Sequence, residues 1–566
     1  MRRTLVVILA LIATLGMLAP PAMAQAPTPK VTITGILDTV NAWNHNVSYS
    51  DNNITSQHDR EWYSRQRFRP DFTFELGKAK AVWGVEMDVA WGQASFSDTA
   101  SAGSAFGSST KTGTTANFDL NTDTNVTIET KWLYTSFPVP WVPMANTITL
   151  GAQPWAATYK PGVLATGDFP GVNWVIDWAP GIRSHLAYAQ IEEEVNAAAA
   201  GGTTSAMNRG DDFAIVVSVE VSPMKGLDLR PIYSYLYANG LTSGAVRANT
   251  ASLPNLGIAT YTRSGDANDI YTAVGRSVFR PDDKEHRHTF GIDARWKWGN
   301  LSIDPTVLYQ RGSRQSSASI NSSGTAYELG STAATSGASN RTAEITAWLV
   351  DVRAAYQLGP LNLGLLGMYS TGNKANSNVR QTIQYFQPIS TDTLYTVGWS
   401  ELLTAGIDYL TQMHTGAAPG NPLSMGSTIG YDKYGRTGFA VRAIYDLTPS
   451  FSLRGIVNAY WTAEEVDTNV STAFLGNRGA YDAKTAAQCA VAAPGVNCDR
   501  PQGDDSYLGT EVDFGFTWRF APGLTLDGVY AHLFAGPARD VAPTVFQKAK
   551  DAEDVSYAAL RVRYSF

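Results

Sequence analysis

The sequence predicts an all-β chain that closes into a transmembrane antiparallel β-barrel of about 18 strands, with 16 as the alternative. Three observations predict it. Apolar and polar side chains alternate through segment after segment, short connections alternate with long ones, and beyond the first 24 residues no apolar run is long enough for a spanning helix. In lipid every backbone N–H and C=O must be bonded within the protein, so only helices and closed barrels cross. With helices excluded, the alternating strands have to close on themselves.

The first 24 residues read as a secretory signal peptide: Met1, Arg2 and Arg3, then an apolar run over 5–18, then Ala22, Met23 and Ala24 before Gln25. Pro20 and Pro21 stop the run short of the ~20 residues that a spanning helix needs. The barrel domain is then 25–566. Removing the leader leaves 41 basic against 50 acidic side chains, a net charge of −9, which argues against a nucleic-acid partner. Fifty Gly, 26 Tyr and 15 Trp with only 16% charged residues suit strands, tight turns and interfacial anchors better than a soluble enzyme. Cys489 and Cys498 lie in one Gly/Ala/Pro-rich stretch. They either pair in an oxidising compartment or remain thiols.

The strands follow from period-two patterning. In KAVWGVEMDVAWG, Trp83, Val85, Met87, Val89 and Trp91 oppose Gly84, Glu86, Asp88 and Ala90. In GTEVDFGFTWRF, Val512, Phe514, Phe516, Trp518 and Phe520 oppose Glu511, Asp513, Thr517 and Arg519. The final VSYAALRVRYSF puts Leu560, Val562, Tyr564 and Phe566 on one parity, Arg561 and Arg563 on the other. Short links at 77–80, 138–146, 179–181, 222–226, 298–300, 358–360, 448–450 and 521–523 alternate with long stretches such as 95–125, 239–284, 315–342, 371–435 and 464–506. Tight turns on one side and long loops on the other mark a membrane barrel. Two stretches, 142–154 and 395–408, are hard to place as strands. A soluble sandwich, β-helix or propeller would alternate too, but need not carry Tyr233, Tyr235, Tyr237, Trp296, Trp298 and Trp461 at strand ends, where interfacial girdles are expected.

The leader followed by VTITGILDTVNAW, the hairpin QRFRPDFTFELGKAKAVWGVEMDVAWG, the boundary TITLGAQPW and the terminal RVRYSF resemble the Gram-negative outer-membrane porins, nearest in type to the homotrimeric general-diffusion porins. The resemblance implies a water-filled channel for passive diffusion of small hydrophilic solutes and ions. It further implies a homotrimer in outer-membrane lipid, a third loop folded into the lumen, and a terminal aromatic, Phe566 with Tyr564, read by the barrel assembly machinery. The mature chain is longer than many such porins.

Selectivity is expected on the polar faces. Arg65, Arg67 and Arg69 share one parity while Phe68, Pro70 and Phe72 share the other. An arginine facing lipid costs about 2–4 kcal/mol at the midplane, so this ladder must face the lumen. Arg436, Arg442, Arg454, Arg561 and Arg563 fall on polar faces as well, and closure brings the last strand beside the first, so one basic wall is expected. Alternatively these guanidiniums pair with Asp38, Glu86, Asp88, Asp513 and Asp527. By its place in the chain the stretch 154–171 is the inward loop, with Trp155, Tyr159, Lys160 and Asp168 as constriction residues and Asp168 facing the basic wall. The same stretch on the outer surface is the alternative.

Other functions find less support. His286 and His288 lack a nearby Cys or acidic cluster, so no metal or cofactor is expected. His185 has no convincing nucleophile beside it, and no enzyme is expected. The first strand begins too soon after the leader for a plug domain. A channel specific for anions, carboxylates or sugars stays open, as does a barrel sheathing a separate electron-transfer partner.

Overall fold

Each alternating segment is a strand in the structure. The computed structural model describes residues 28–46, 60–91, 117–118, 128–160, 162–193, 211–239, 284–321, 335–374, 382–391, 399–403, 434–466, 503–540 and 551–566. The expected leader and both cysteines, Cys489 and Cys498, lie outside these residues. Eighteen long strands run in order: β1 Lys30–His45, β2 Arg60–Leu76, β3 Ala79–Trp91, β4 Glu129–Phe137, β5 Ala145–Ala156, β6 Ala165–Ala179, β7 Ile182–Glu193, β8 Asp211–Met224, β9 Leu227–Asn239, β10 Lys284–Trp298, β11 Leu301–Asn321, β12 Thr335–Leu358, β13 Leu361–Ser370, β14 Arg436–Thr448, β15 Phe451–Val466, β16 Asp505–Ala521, β17 Leu524–Ala535 and β18 Val555–Ser565. Consecutive strands pair antiparallel throughout, and β1 pairs with both β2 and β18. The ring is closed with 18 strands, and the 16-strand alternative falls.

All eight short links join hairpins where the sequence places them. Gly77 (φ 60°) and Gly299 (φ 57°) supply the left-handed backbone of two such turns. The stretch around 142–154 is β5, entered through a turn that the Asn146 side chain closes. Its Oδ1 accepts from Val139 N (2.8 Å), and its amide nitrogen donates to Met144 O (3.0 Å). The stretch around 395–408 is no strand where it is described: residues 399–403 are irregular.

Side-chain parity splits the wall. On β18, Leu560, Val562 and Tyr564 are exposed on the outside while Arg561 and Arg563 turn inward to carboxylates. Large apolar side chains including Ile33, Leu133, Val441, Phe514 and Leu560 stay exposed on the outer face. An outer face this apolar, around an interior of Asp, Glu, Arg and Gln, is that of a β-barrel spanning a membrane. Aromatic rings border the band: Trp296 and Trp298 stack at 6.4 Å near a short turn, and Tyr309 and Trp348 lie 4.5 Å apart towards the long-loop end.

The seam depends on the last residue. Phe566 O accepts from Gly35 N (2.9 Å), Phe566 N donates to Gly35 O (3.1 Å), and its ring stacks on Phe68 at 6.1 Å. A Cβ on Gly35 would fall 2.4 Å from Arg69 O and 2.9 Å from the Phe566 ring. Gly35→Val is therefore expected to cost about 1–3 kcal/mol by overpacking and to lower the fraction of chain that refolds, read as loss of β circular dichroism at a lower denaturant concentration than for the parent.

Candidate functional site in the barrel lumen

The lumen is narrowed by two segments, one of which the sequence reading missed. The first is the tip of the β5–β6 hairpin. The β4–β5 ladder stops at Leu133 and Ala152 and the β6–β7 ladder at Gly171 and Ala189, but β5 and β6 stay paired as far as Ala156 and Thr166. The free end of this hairpin leaves the wall and enters the barrel. Gly151 takes φ 120° at the departure point, where a Cβ would lie 2.3 Å from Leu133 O, so only glycine fits.

The expected constriction loop 154–171 is corrected accordingly. Trp155 and Asp168 lie on the paired strands, and the loop proper is residues 157–164. Trp155 packs edge-on against Phe169 at 5.7 Å. Asp168 does not stand free opposite the basic wall. Its carboxylate accepts from the Trp132 indole (2.5 Å) and pairs with Lys131 (2.8 Å) on β4, which clamps the hairpin to the near wall.

The loop tip reaches the far wall. Tyr159 N donates to Asp293 (2.5 Å) and the Tyr159 hydroxyl donates to Glu220 (2.8 Å), while the guanidiniums of Arg230 and Arg295 lie 3.9 and 3.8 Å from its ring centroid. Lys160 Nζ donates to Asp304 O (2.6 Å) and pairs with Asp351 (3.2 Å). Burial pulls the Lys160 ammonium below its ordinary pKa, against the opposing pull of Asp351 and Asp293. Burial likewise pushes the Tyr159 phenol up, aided by its bond to Glu220. The hairpin thus spans the lumen with an anchor at each side.

The second segment comes from the long β13–β14 connection. Residues 382–391 lie inside: Ile389 N donates to Leu164 O (2.7 Å), and Ser390 and Thr391 pair with Ala165 and Thr166. Val163, Leu164, Phe386 and Ile389 are buried together where the segments meet. Gln387 fastens it to the wall. Its amide oxygen accepts from Arg287 (2.9 Å) and Arg314, its backbone N donates to Gln310 (2.9 Å), and its backbone O accepts from Gln310 (2.6 Å). Glu285 balances the two arginines, at 3.2 and 2.7 Å. Residues 399–403 dock further round. The Glu511 carboxylate accepts from the backbone nitrogens of Glu401 (2.9 Å), Leu402 (2.8 Å) and Leu403 (2.8 Å), and Arg454 donates to Glu401 (2.6 Å). A polar loop composition hides such a segment, because its anchors are carboxylates and arginines on strands far away in sequence.

The basic wall is brought together largely as ion pairs. Asp38 lies across from both Arg67 and Arg563 in the ladders and takes a bidentate bond from Arg563 (2.6 and 2.5 Å). Arg67 pairs with Asp88 (2.6 Å) and Glu86 (3.1 Å), Arg69 with Glu86 (3.0 Å), and Arg561 with Asp527 (2.7 Å). Arg65 is buried on the same face. Arg436 is corrected: it is fully buried at the start of β14, donating to Gly435 O (2.8 Å), and lines no open surface.

Arg442 is different. It is half-buried, no carboxylate among the described residues pairs with it, and it stacks on the Trp399 ring at 4.1 Å. Gly364 on the adjacent strand leaves room for that indole, since a Cβ there would meet it at 3.0 Å. Arg353 and Arg454 stand on nearby strands, across from Leu366 and Ile444 in the ladders. Each has its own acid, Asp351 at 3.0 Å and Glu401 at 2.6 Å. Among the described residues no group of three or more His, Cys, Asp or Glu is placed to hold a metal ion.

Lys160→Met would remove the tip's charged anchor while keeping its length. Losing one partner of a buried ion pair costs on the order of 3 kcal/mol. The expected outcome is a larger and noisier single-channel conductance in a planar bilayer, with the folded fraction preserved.

No family model matches the chain, and no curated protein matches it. Solved structures do. One is Pseudomonas aeruginosa OccK8 (OprE), at 12% identity, covering 95% of this chain and 98% of that one with a TM-score of 0.44. Another is Acinetobacter baumannii OccAB4, at 9% identity over 94% and 98% with a TM-score of 0.44. A third is Pseudomonas aeruginosa OpdK with vanillate, at 9% identity over 94% and 98% with a TM-score of 0.42.

Proposed function

We propose that the chain is an outer-membrane channel through which small hydrophilic solutes and ions diffuse passively, with a preference for anions set beside Arg442. A closed barrel with an apolar outer face and a charged interior supports the channel. The observation that carries the preference is a half-buried lumen guanidinium stacked on Trp399, with which no carboxylate among the described residues pairs. Arg67, Arg69, Arg561 and Arg563 supply less field, because their acids lie within hydrogen-bond reach. Two inward segments narrow the lumen, which favours a selective channel over a wide general pore and leaves little room for an electron-transfer partner.

A solute anion ~5 Å from an unneutralised guanidinium gains about 0.8 kcal/mol in water, roughly fourfold in occupancy. Arg442→Gln is therefore expected to lower the anion-to-cation permeability ratio about fourfold, read as reversal potential under a salt gradient. The Arg65→Gln/Arg67→Gln/Arg69→Gln variant should move it less. A larger effect from the triple variant would return the selectivity to the β2 ladder.

The channel is further proposed to be a homotrimer that meets its copies through the outer face of β1 and β2. Below the Trp43 and Trp62 pair this face carries Asn41 bonded to Ser64 (2.6 Å) and Thr39 bonded to Gln66 (3.3 Å), four polar side chains at the height of the lipid band. A second copy offers such groups hydrogen bonds that lipid cannot. Ser64→Trp suits lipid but fills the contact. It should yield monomers by light scattering in detergent with conductance retained, and unchanged trimers would exclude this arc.

A further inference from the structure

We propose that the outer surface of β9–β12 holds the phosphate of an anionic lipid headgroup, with Arg311 as its charged ligand and His288 and His286 beside it. The argument begins with parity. On β11, Gln310 and Arg314 bond to the inward segment and its arginine cluster, so Arg311 belongs to the outer face together with Tyr309 and Val307. It is exposed, and arginine on that face needs a reason, because at the midplane it would cost about 2–4 kcal/mol.

The height supplies part of the reason. Trp298 and His288 are separated by ten residues on β10. At about 3.3 Å per residue and a tilt of about 40°, that is roughly 25 Å, the thickness of the apolar band. Arg311 is the ladder partner of His288 and therefore shares that level. Just beneath runs a row of rings, Tyr233, Phe290, Tyr309 and Trp348, each the ladder partner of the next. Rings of this kind sit at the membrane interface. The patch above them, Tyr235, His288, Arg311 and Thr346, then Tyr237, His286, Ser313 and Glu344, meets headgroups and not acyl chains.

The chemistry of the patch suits a phosphate. Tyr233 and Tyr235 hydroxyls lie 2.9 and 2.8 Å from the Nδ1 atoms of His288 and His286. With the hydroxyls donating, each neutral imidazole keeps its proton on Nε2 as a donor. The tyrosines thereby fix the rings and their tautomers. Arg311 adds a guanidinium fork matched to phosphate oxygens. Glu344 is the one acid among these eight residues. It lies across from Ser313, and no ion pair among the described residues joins it to Arg311.

Native mass spectrometry of the full chain in neutral detergent micelles tests this, with phosphatidic acid, phosphatidylcholine and inorganic phosphate as probes. Phosphatidic acid should be retained in preference to phosphatidylcholine, and retention should fall about tenfold in Arg311→Gln. His288→Gln should reduce it as well. Arg183→Gln, which removes an exposed arginine at the short-turn end, should not. Equal retention by Arg311→Gln and the parent, or equal retention of the two lipids, would overturn the proposal. So would full displacement of the lipid by inorganic phosphate at matched concentration, which would make the patch a site for free anions.

Discussion

Backbone hydrogen bonding in lipid is the constraint from which the rest of this structure follows. A sheet that crosses a membrane has no solvent for an open edge, so β1 must find β18. That pairing is made by ten ladder partners and finished by Phe566 on Gly35. Closure in turn gives every strand an inner and an outer face. From then on each residue's role is decided by parity: Leu560 meets lipid and Arg561, one position on, meets Asp527.

This is why the barrel was legible in the sequence. Period-two alternation and the short-long rhythm of connections both follow from closure, and they give about 18 strands and the eight tight turns but not every boundary: β11 runs to Asn321 and β12 begins at Thr335, inside the stretch 315–342 expected as a loop. The inward direction of Arg65, Arg67 and Arg69 follows from the same rule. The fate of their charges does not. Asp38 stands between Arg67 and Arg563 only because β1 lies between β2 and β18 in a ring, a contact between residues 525 positions apart. Pairing and free field were equal readings from sequence, and the ladder register decides for pairing at Arg67, Arg69, Arg561 and Arg563.

Loops were less legible because their anchors are non-local. Order in the chain locates the β5–β6 hairpin but not the extent of its loop, since nothing in PWAATYKPGVLATGDFPG separates paired strand from free tip. Lys160 looked like a charge in the eyelet. It is a tether, reaching strands β11 and β12 on the far wall. Nothing in the polar composition of the long 371–435 stretch marks it as entering the lumen. In residues 387 and 401 that polarity is what lets it dock, through Gln387 on Arg287 and Arg314 and through Glu401 on Arg454.

The two inward segments also constrain each other. Residues 157–164 are held at Asp293 and Asp351, residues 382–391 at Gln310, Arg287 and Arg314, and the two are joined by the Ile389 to Leu164 bond and by buried Val163, Leu164, Phe386 and Ile389. Water is excluded from that junction, so displacing either segment would expose the apolar side of the other. The opening of the lumen is then a property of the pair, and neither segment can be read as an independent lid. Arg442 is positioned by the same connection, since Trp399, on which it stacks, lies two residues before the backbone that Glu511 holds. The guanidinium proposed to set ion preference and the chain that narrows the lumen are thereby fastened to one stretch of the wall.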